Sequence, residues 1–96
     1  MLIDSNYNLK IADFGFSIIT NSRNKITNDK IGTLGYLAPE VYTQNELDAH
    51  KVDTFALGIV LFMMITGTIP FSVATTSDEH YSCIARNNAD LFWKLH

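Results

Sequence analysis

From Phe55 to Ile65 the chain reads FALGIVLFMMI, with one glycine and no charge. A helix this apolar on every side is stable only where other protein surrounds it. The run is well short of the roughly 20 residues that span a bilayer, so it predicts a buried core helix, placed over 53–66. Asp53 is expected as its N-cap or first-turn acid. Gly67 is the natural residue to close it, and Pro70 forbids continuation. The 96 residues allow one small domain at most.

Composition narrows the class. Hydrophobic residues make up 47% and charged residues 18%, a globular balance and not a disordered one. Seven Lys and Arg against ten Asp and Glu leave −3 at pH 7. That argues against a nucleic-acid-binding arm or a basic membrane patch. Residues 1–10 hold no apolar run of leader-peptide length. Cys83 is the single cysteine, so no internal disulfide forms and a reduced, intracellular setting is the simpler expectation.

Along the chain, 2–13 reads as strand, turn, strand. Asp4-Ser5-Asn6 is a turn cluster, and Leu9 and Ile11 alternate with Lys10 in the period of a half-buried strand. Residues 16–37 are rich in Thr, Asn and Ser without a period, which predicts a long loop. A short helix is expected over 38–44, with Pro39 at its first position. Another is expected over 78–86, capped by Ser77 and ended by Asn87-Asn88, with Asp90 capping one more. Met63-Met64 is assigned to the core and Trp93 to a packing role. His50, His80 and His96 show no ligand spacing with Cys83, so no zinc site is expected.

Three motifs carry chemistry. Asp13-Phe14-Gly15 follows the second strand: a carboxylate at a strand end is placed to hold a divalent metal, and the glycine lets the chain turn away. The second is Gly32-Thr33-Leu34-Gly35-Tyr36-Leu37-Ala38-Pro39-Glu40. The third runs from Lys51-Val52-Asp53 to Gly58 and on to Gly67 and Pro70-Phe71. In this order and spacing they resemble the C-terminal lobe of a eukaryotic protein kinase of the Ser/Thr type. The resemblance covers nearly the whole chain. It implies an α+β fold, a mainly helical partial kinase C-terminal lobe with a short N-terminal β-hairpin. Within it, 2–13 would be the strand pair, 13–40 the activation segment, 53–66 the central hydrophobic helix and 77–96 the following helices.

The same resemblance implies ATP-dependent phosphoryl transfer to protein Ser/Thr residues, with ATP and Mg2+ as cofactors. It implies a protein substrate, no nucleic acid, no membrane and a cytoplasmic location; it implies no particular oligomeric state. Asp13, Phe14 and Gly15 would form the cofactor-binding group, with Asp13 on the magnesium and Phe14 packed beneath the small lobe. Thr33 would support the acceptor pocket, the Gly-Thr-x-x-Tyr pattern being that of Ser/Thr kinases. Glu40 would pair with an arginine from a later helix, and Asp53 would accept backbone bonds from the catalytic loop.

Ahead of Asp13 the sequence holds no glycine-rich phosphate loop, no lysine-bearing strand and no His-Arg-Asp loop, so the general base is absent from these residues. Arg86, the only arginine after Glu40, falls too early to be its partner. The 96 residues by themselves are therefore expected to be inactive. The alternative is a non-catalytic remnant, truncated or degenerate, acting at most as a binding module. Leu34 stands where the family commonly has Pro, and Phe55-Ala56 where it has Trp-Ser. Asp29 takes the position of the activating phosphosite of many relatives. It is either a partial phosphate mimic or a solvated loop residue. Thr20, Ser22 and Thr27 are further candidate phosphosites.

Overall fold

Asp4 builds the first turn with its own side chain. In the computed structural model, which describes residues 1–15, 17–20, 23, 25–29 and 32–96, its Oδ1 accepts from the N–H of Asn6 at 2.9 Å and of Asn8 at 2.8 Å. The Asn8 N–H above all holds the Asp4 carboxyl below its ordinary value. Tyr7, at the apex, takes a left-handed φ of 64°. The turn folds β1 (Leu2–Ile3) antiparallel onto β2 (Leu9–Lys10), with Leu2 opposite Lys10. The half-buried alternation expected here is absent: Leu2, Ile3 and Leu9 are all exposed. A two-stranded ribbon of two residues a side buries little on either face.

The stretch 16–37 is not wholly loop. It contains β3 (Lys25–Thr27), antiparallel to β4 (Glu46–Asp48), with Lys25 opposite Asp48, Ile26 opposite Leu47 and Thr27 opposite Glu46. Ile26 packs against a core of Leu37, Ala38, Val41 and Leu47. Between the strands lie two 3-10 turns, Leu34–Tyr36 and Pro39–Tyr42. The second is the short helix expected over 38–44, 3-10 in kind and confined to 39–42, with Pro39 at its first position as anticipated. Gly32 has a φ of 136°, and a Cβ there would come within 2.7 Å of Leu37 Cδ2. It is the positive φ that calls for glycine, since Leu37 Cδ2 ends a flexible side chain.

The apolar run lies in α1 (Ala49–Thr66), which starts earlier than expected. Asp48, not Asp53, is the N-cap: its carboxylate accepts from the N–H of His50 at 3.1 Å and of Lys51 at 3.3 Å. Gly67 closes the helix in the left-handed region, φ 76°, its N–H donating to Met63 O at 2.8 Å, the expected ending. By length and apolar composition α1 alone would pass for a membrane span. One stripe of it enters the protein instead. Val52 and Phe55 join the first core, while Ile59 is buried with Phe71 and Ala74, against which Phe55 and Met63 also pack. Leu57, Leu61, Met64 and Ile65 are exposed, so Met64 is not in the core as expected.

Helices α2 (Glu79–Ala85) and α3 (Ala89–Lys94) complete the chain. Asp78, not Ser77, caps α2: its Oδ1 accepts from Tyr81 N–H at 3.0 Å. Its Oδ2 accepts from Ser72 N–H at 2.9 Å and Val73 N–H at 3.3 Å, which ties the preceding loop to the helix. Asn87 turns the chain at φ 57°. Asn88 then caps α3 by accepting from Leu91 N–H at 3.2 Å, leaving Asp90 in the first turn. Trp93 packs as expected, stacked on Phe62 of α1 at 5.8 Å, though its outer face stays in solvent.

Asp78 offers a test. Burial raises its pKa, but the N–H groups of Tyr81, Ser72, Val73 and His80 outweigh that and hold it below its ordinary value. A depressed carboxylate stabilises the fold fully above its unfolded pKa, about 3.9. The contribution fades as pH falls through the lower folded value. In the intact protein, Asp78→Ala is expected to cost about 1–2 kcal/mol at neutral pH, the worth of an N-cap. Urea titration should show that gap narrowing in acid.

Candidate functional site

Asp13 leaves β2 in a left-handed conformation, φ 64°. Asp tolerates this better than most residues. The sharp turn after the strand therefore falls on Asp13 itself and not on Gly15, whose φ is not positive. Phe14 O then accepts from Ser17 N–H at 3.0 Å and Ser17 Oγ at 2.6 Å, closing a local turn through exposed Gly15. Asp13 and Phe14 are both exposed.

These two residues form part of the wall of a cleft of about 500 Å³. The other part comes from the first turns of α1, where Ala49, His50, Val52 and Asp53 line it. Ile26 of β3 contributes to the lining as well. Asp13, Phe14 and Asp53, read from separate motifs, are thus brought together. His50 has no zinc-ligand spacing in the sequence, yet it lines the cleft. Its place three residues before Asp53 on one helix is the signal that finds it. Among the described residues, no group of three or more His, Cys, Asp or Glu side chains is placed to hold a metal unaided.

Thr33 and Glu40 do not line that cleft. Thr33 is exposed at the start of the Leu34–Tyr36 turn; its carbonyl accepts from Tyr36 N–H at 3.0 Å and its hydroxyl caps nothing. Glu40 is half-buried in the next turn, where its carbonyl accepts from Gln44 N–H at 2.9 Å. It lines a separate groove of about 480 Å³ with Thr43, Ala74 and Tyr81. Tyr42, whose pKa is raised by burial, stays a hydroxyl donor at neutral pH and reaches Leu34 O at 3.5 Å. Asp29 and Thr27 are exposed and Thr20 is half-buried. Ser22 lies outside the described residues.

Asn28, midway along 13–40, is a residue that nothing in the sequence singled out. Its N–H donates to Asn45 O at 2.9 Å. Its Nδ2 donates to Val41 O at 2.7 Å and to Gln44 O at 2.6 Å.

Comparison with known proteins bears on all of this. The family model described as protein kinase domain matches residues 1–94. A serine/threonine-protein kinase SIK3 homolog of Danio rerio is 43% identical over 75 residues, covering 78% of this chain and 6% of that protein. CBL-interacting serine/threonine-protein kinase 15 of Arabidopsis thaliana is 40% identical over 73 residues, 74% of this chain and 17% of that protein. Serine/threonine-protein kinase CHK1 of Saccharomyces cerevisiae is 32% identical over 97% of this chain and 18% of that protein. The chain thus spans less than a fifth of the length of these relatives.

Proposed function

The chain belongs to the protein kinase domain family, and from that premise we propose that it contributes to ATP-dependent phosphoryl transfer onto Ser or Thr residues of protein substrates. It would supply the metal-binding aspartate, the activation segment and the helix beneath the catalytic loop. The observation that carries the reading is the shared cleft: Asp13 and Phe14 from one motif line it with Asp53 from another.

Magnesium suits this arrangement. It is commonly held by one or two carboxylates plus the phosphate oxygens of the nucleotide, and Asp13 presents one exposed carboxylate on the cleft wall. When bound, the metal neutralises charge on the phosphoryl group. Asp13 would hold it and Phe14 would close the apolar side of the site. Asp53 would accept hydrogen bonds that fix neighbouring backbone. Thr33, exposed one residue past Gly32, would support the acceptor pocket. Glu40 would take its arginine partner within the domain. An intracellular, cytoplasmic location goes with ATP as donor and with Cys83 being unpaired.

The test is the intact protein incubated with labelled Mg·ATP and Ser/Thr peptides. Label is expected on Ser or Thr, and Asp13→Ala is expected to lower kcat by at least about 100-fold, the scale of one lost electrostatic group. Label confined to tyrosine, or an Asp13→Ala protein of normal rate, would overturn the reading.

A further inference from the structure

We propose that Asn28 is a positioning residue that pins the outer half of the 13–40 segment against the Pro39–Tyr42 turn and so holds the surface that receives the protein substrate. The proposal rests on the kinase reading and names how that site is kept in place.

The geometry is specific to an amide. Two carbonyl oxygens, of Val41 and Gln44, converge on one Asn28 nitrogen at 2.7 and 2.6 Å. A single atom can satisfy both only if it carries two hydrogens. The Asn NH2 does; a hydroxyl has one and a carboxylate has none. The Asn28 N–H meanwhile donates to Asn45 O at 2.9 Å, which extends the β3–β4 pairing past Thr27 and Glu46. Side chain and backbone of one residue thus grip the carbonyls of residues 41, 44 and 45.

What is gripped matters for the segment. Just before Asn28, Ile26 is packed into the core of Leu37, Ala38, Val41 and Leu47. Beyond it, Gly32 lies so close to Leu37 that a Cβ would come within 2.7 Å of it. Thr33 and the Leu34–Tyr36 turn follow directly. Residues 25–29 are therefore held at Ile26 by apolar packing and at Asn28 by hydrogen bonds, and Asn28 is the polar fastening. By contrast Phe14 and Ile18, in the first part of the segment, are exposed. Release of the pin is expected to loosen the end that carries Thr33 while sparing the Asp13 end.

Asn28→Asp and Asn28→Ala in the intact protein separate a donor from a filler. Aspartate has the same shape but turns one acceptor oxygen toward both carbonyls; alanine only removes the donor. A pin by donation predicts that Asp is worse than Ala; a space-filling side chain predicts the reverse. Hydrogen exchange at 25–29 and 39–45 is expected to quicken about tenfold in Asn28→Ala, the factor for about 1.4 kcal/mol of lost hydrogen bonding, and further in Asn28→Asp. The KM for peptide should rise in the same order with the KM for ATP unchanged. Should Asn28→Asp fail to fold, the Asn28→Ala exchange carries the test. Exchange at the wild-type rate in Asn28→Ala, or faster exchange in Ala than in Asp, overturns the proposal. A wild-type protein with no kinase activity overturns the kinase reading instead, while the exchange order still decides whether Asn28 is a pin.

Discussion

Residues 1–96 alone, given Mg·ATP and a Ser/Thr peptide, are expected to transfer no measurable phosphate. Phosphoryl transfer asks little covalent chemistry of a protein and depends on positioning and electrostatics. Holding two reactants in line contributes about 7–11 kcal/mol of barrier lowering. These residues place two carboxylates, Asp13 and Asp53, on the wall of one cleft, with no lysine strand, phosphate loop or base in the sequence ahead of Asp13. No group of three or more ligating side chains gathers among the described residues. Calorimetry should accordingly show no micromolar Mg·ATP binding, which would correspond to about −8 kcal/mol. Turnover by this polypeptide that Asp13→Ala abolishes, or binding of that strength, would show that Asp13 and its cleft suffice.

What the sequence made legible follows from how local each signal is. The end of α1 was readable because Gly67 and Pro70 act through their own backbones, and Gly67 does take φ 76°. Its start was misplaced for a physical reason. The first turn, Ala49-His50-Lys51, has no large apolar side chain and carries no core signal, so the sequence points to Asp53 where Asp48 is the cap. Pairing of β3 with β4 has no sequence signal, since three residues with one half-buried side chain, Ile26, are too few to show a period. The site divides likewise. Asp13, Thr33, Glu40 and Asp53 stand out one by one through their motifs, but only tertiary structure puts Asp53 on the wall of the Asp13 cleft. Asn28 had no local signal at all, because its partners are backbone carbonyls contributed by residues 41 and 44.

The same 96 residues, expressed alone, are expected to be poorly folded or self-associating. Their 7400 Å² of exposed surface exceeds by about a third the roughly 5500 Å² of a folded monomer of this mass. Their radius of gyration, 15.1 Å, exceeds the about 13 Å of a compact domain of similar length. The excess is a slab 20 Å thick and 41 × 39 Å across, with the apolar α1 bare along one side. Ile59 is that helix's one buried residue, whereas Leu57, Leu61, Met64 and Ile65 stand 57% to 77% exposed. Full burial of each would contribute about 1.5–3 kcal/mol. Four of them together are worth about 6–12 kcal/mol, comparable with the whole stability of a small domain, about 5–15 kcal/mol. A face of that kind leaves water either by meeting other protein or by meeting a second copy. Sedimentation velocity should therefore show species larger than 10.8 kDa, near-UV circular dichroism should be weak, and melting should lack a sharp step. Replacing Leu61 and Ile65 by Lys should reduce the association without sharpening the melt, since solubility would improve while the missing burial would not. A soluble monomer with a cooperative transition would show instead that the two small cores around Leu37 and Ile59 stabilise the fold unaided.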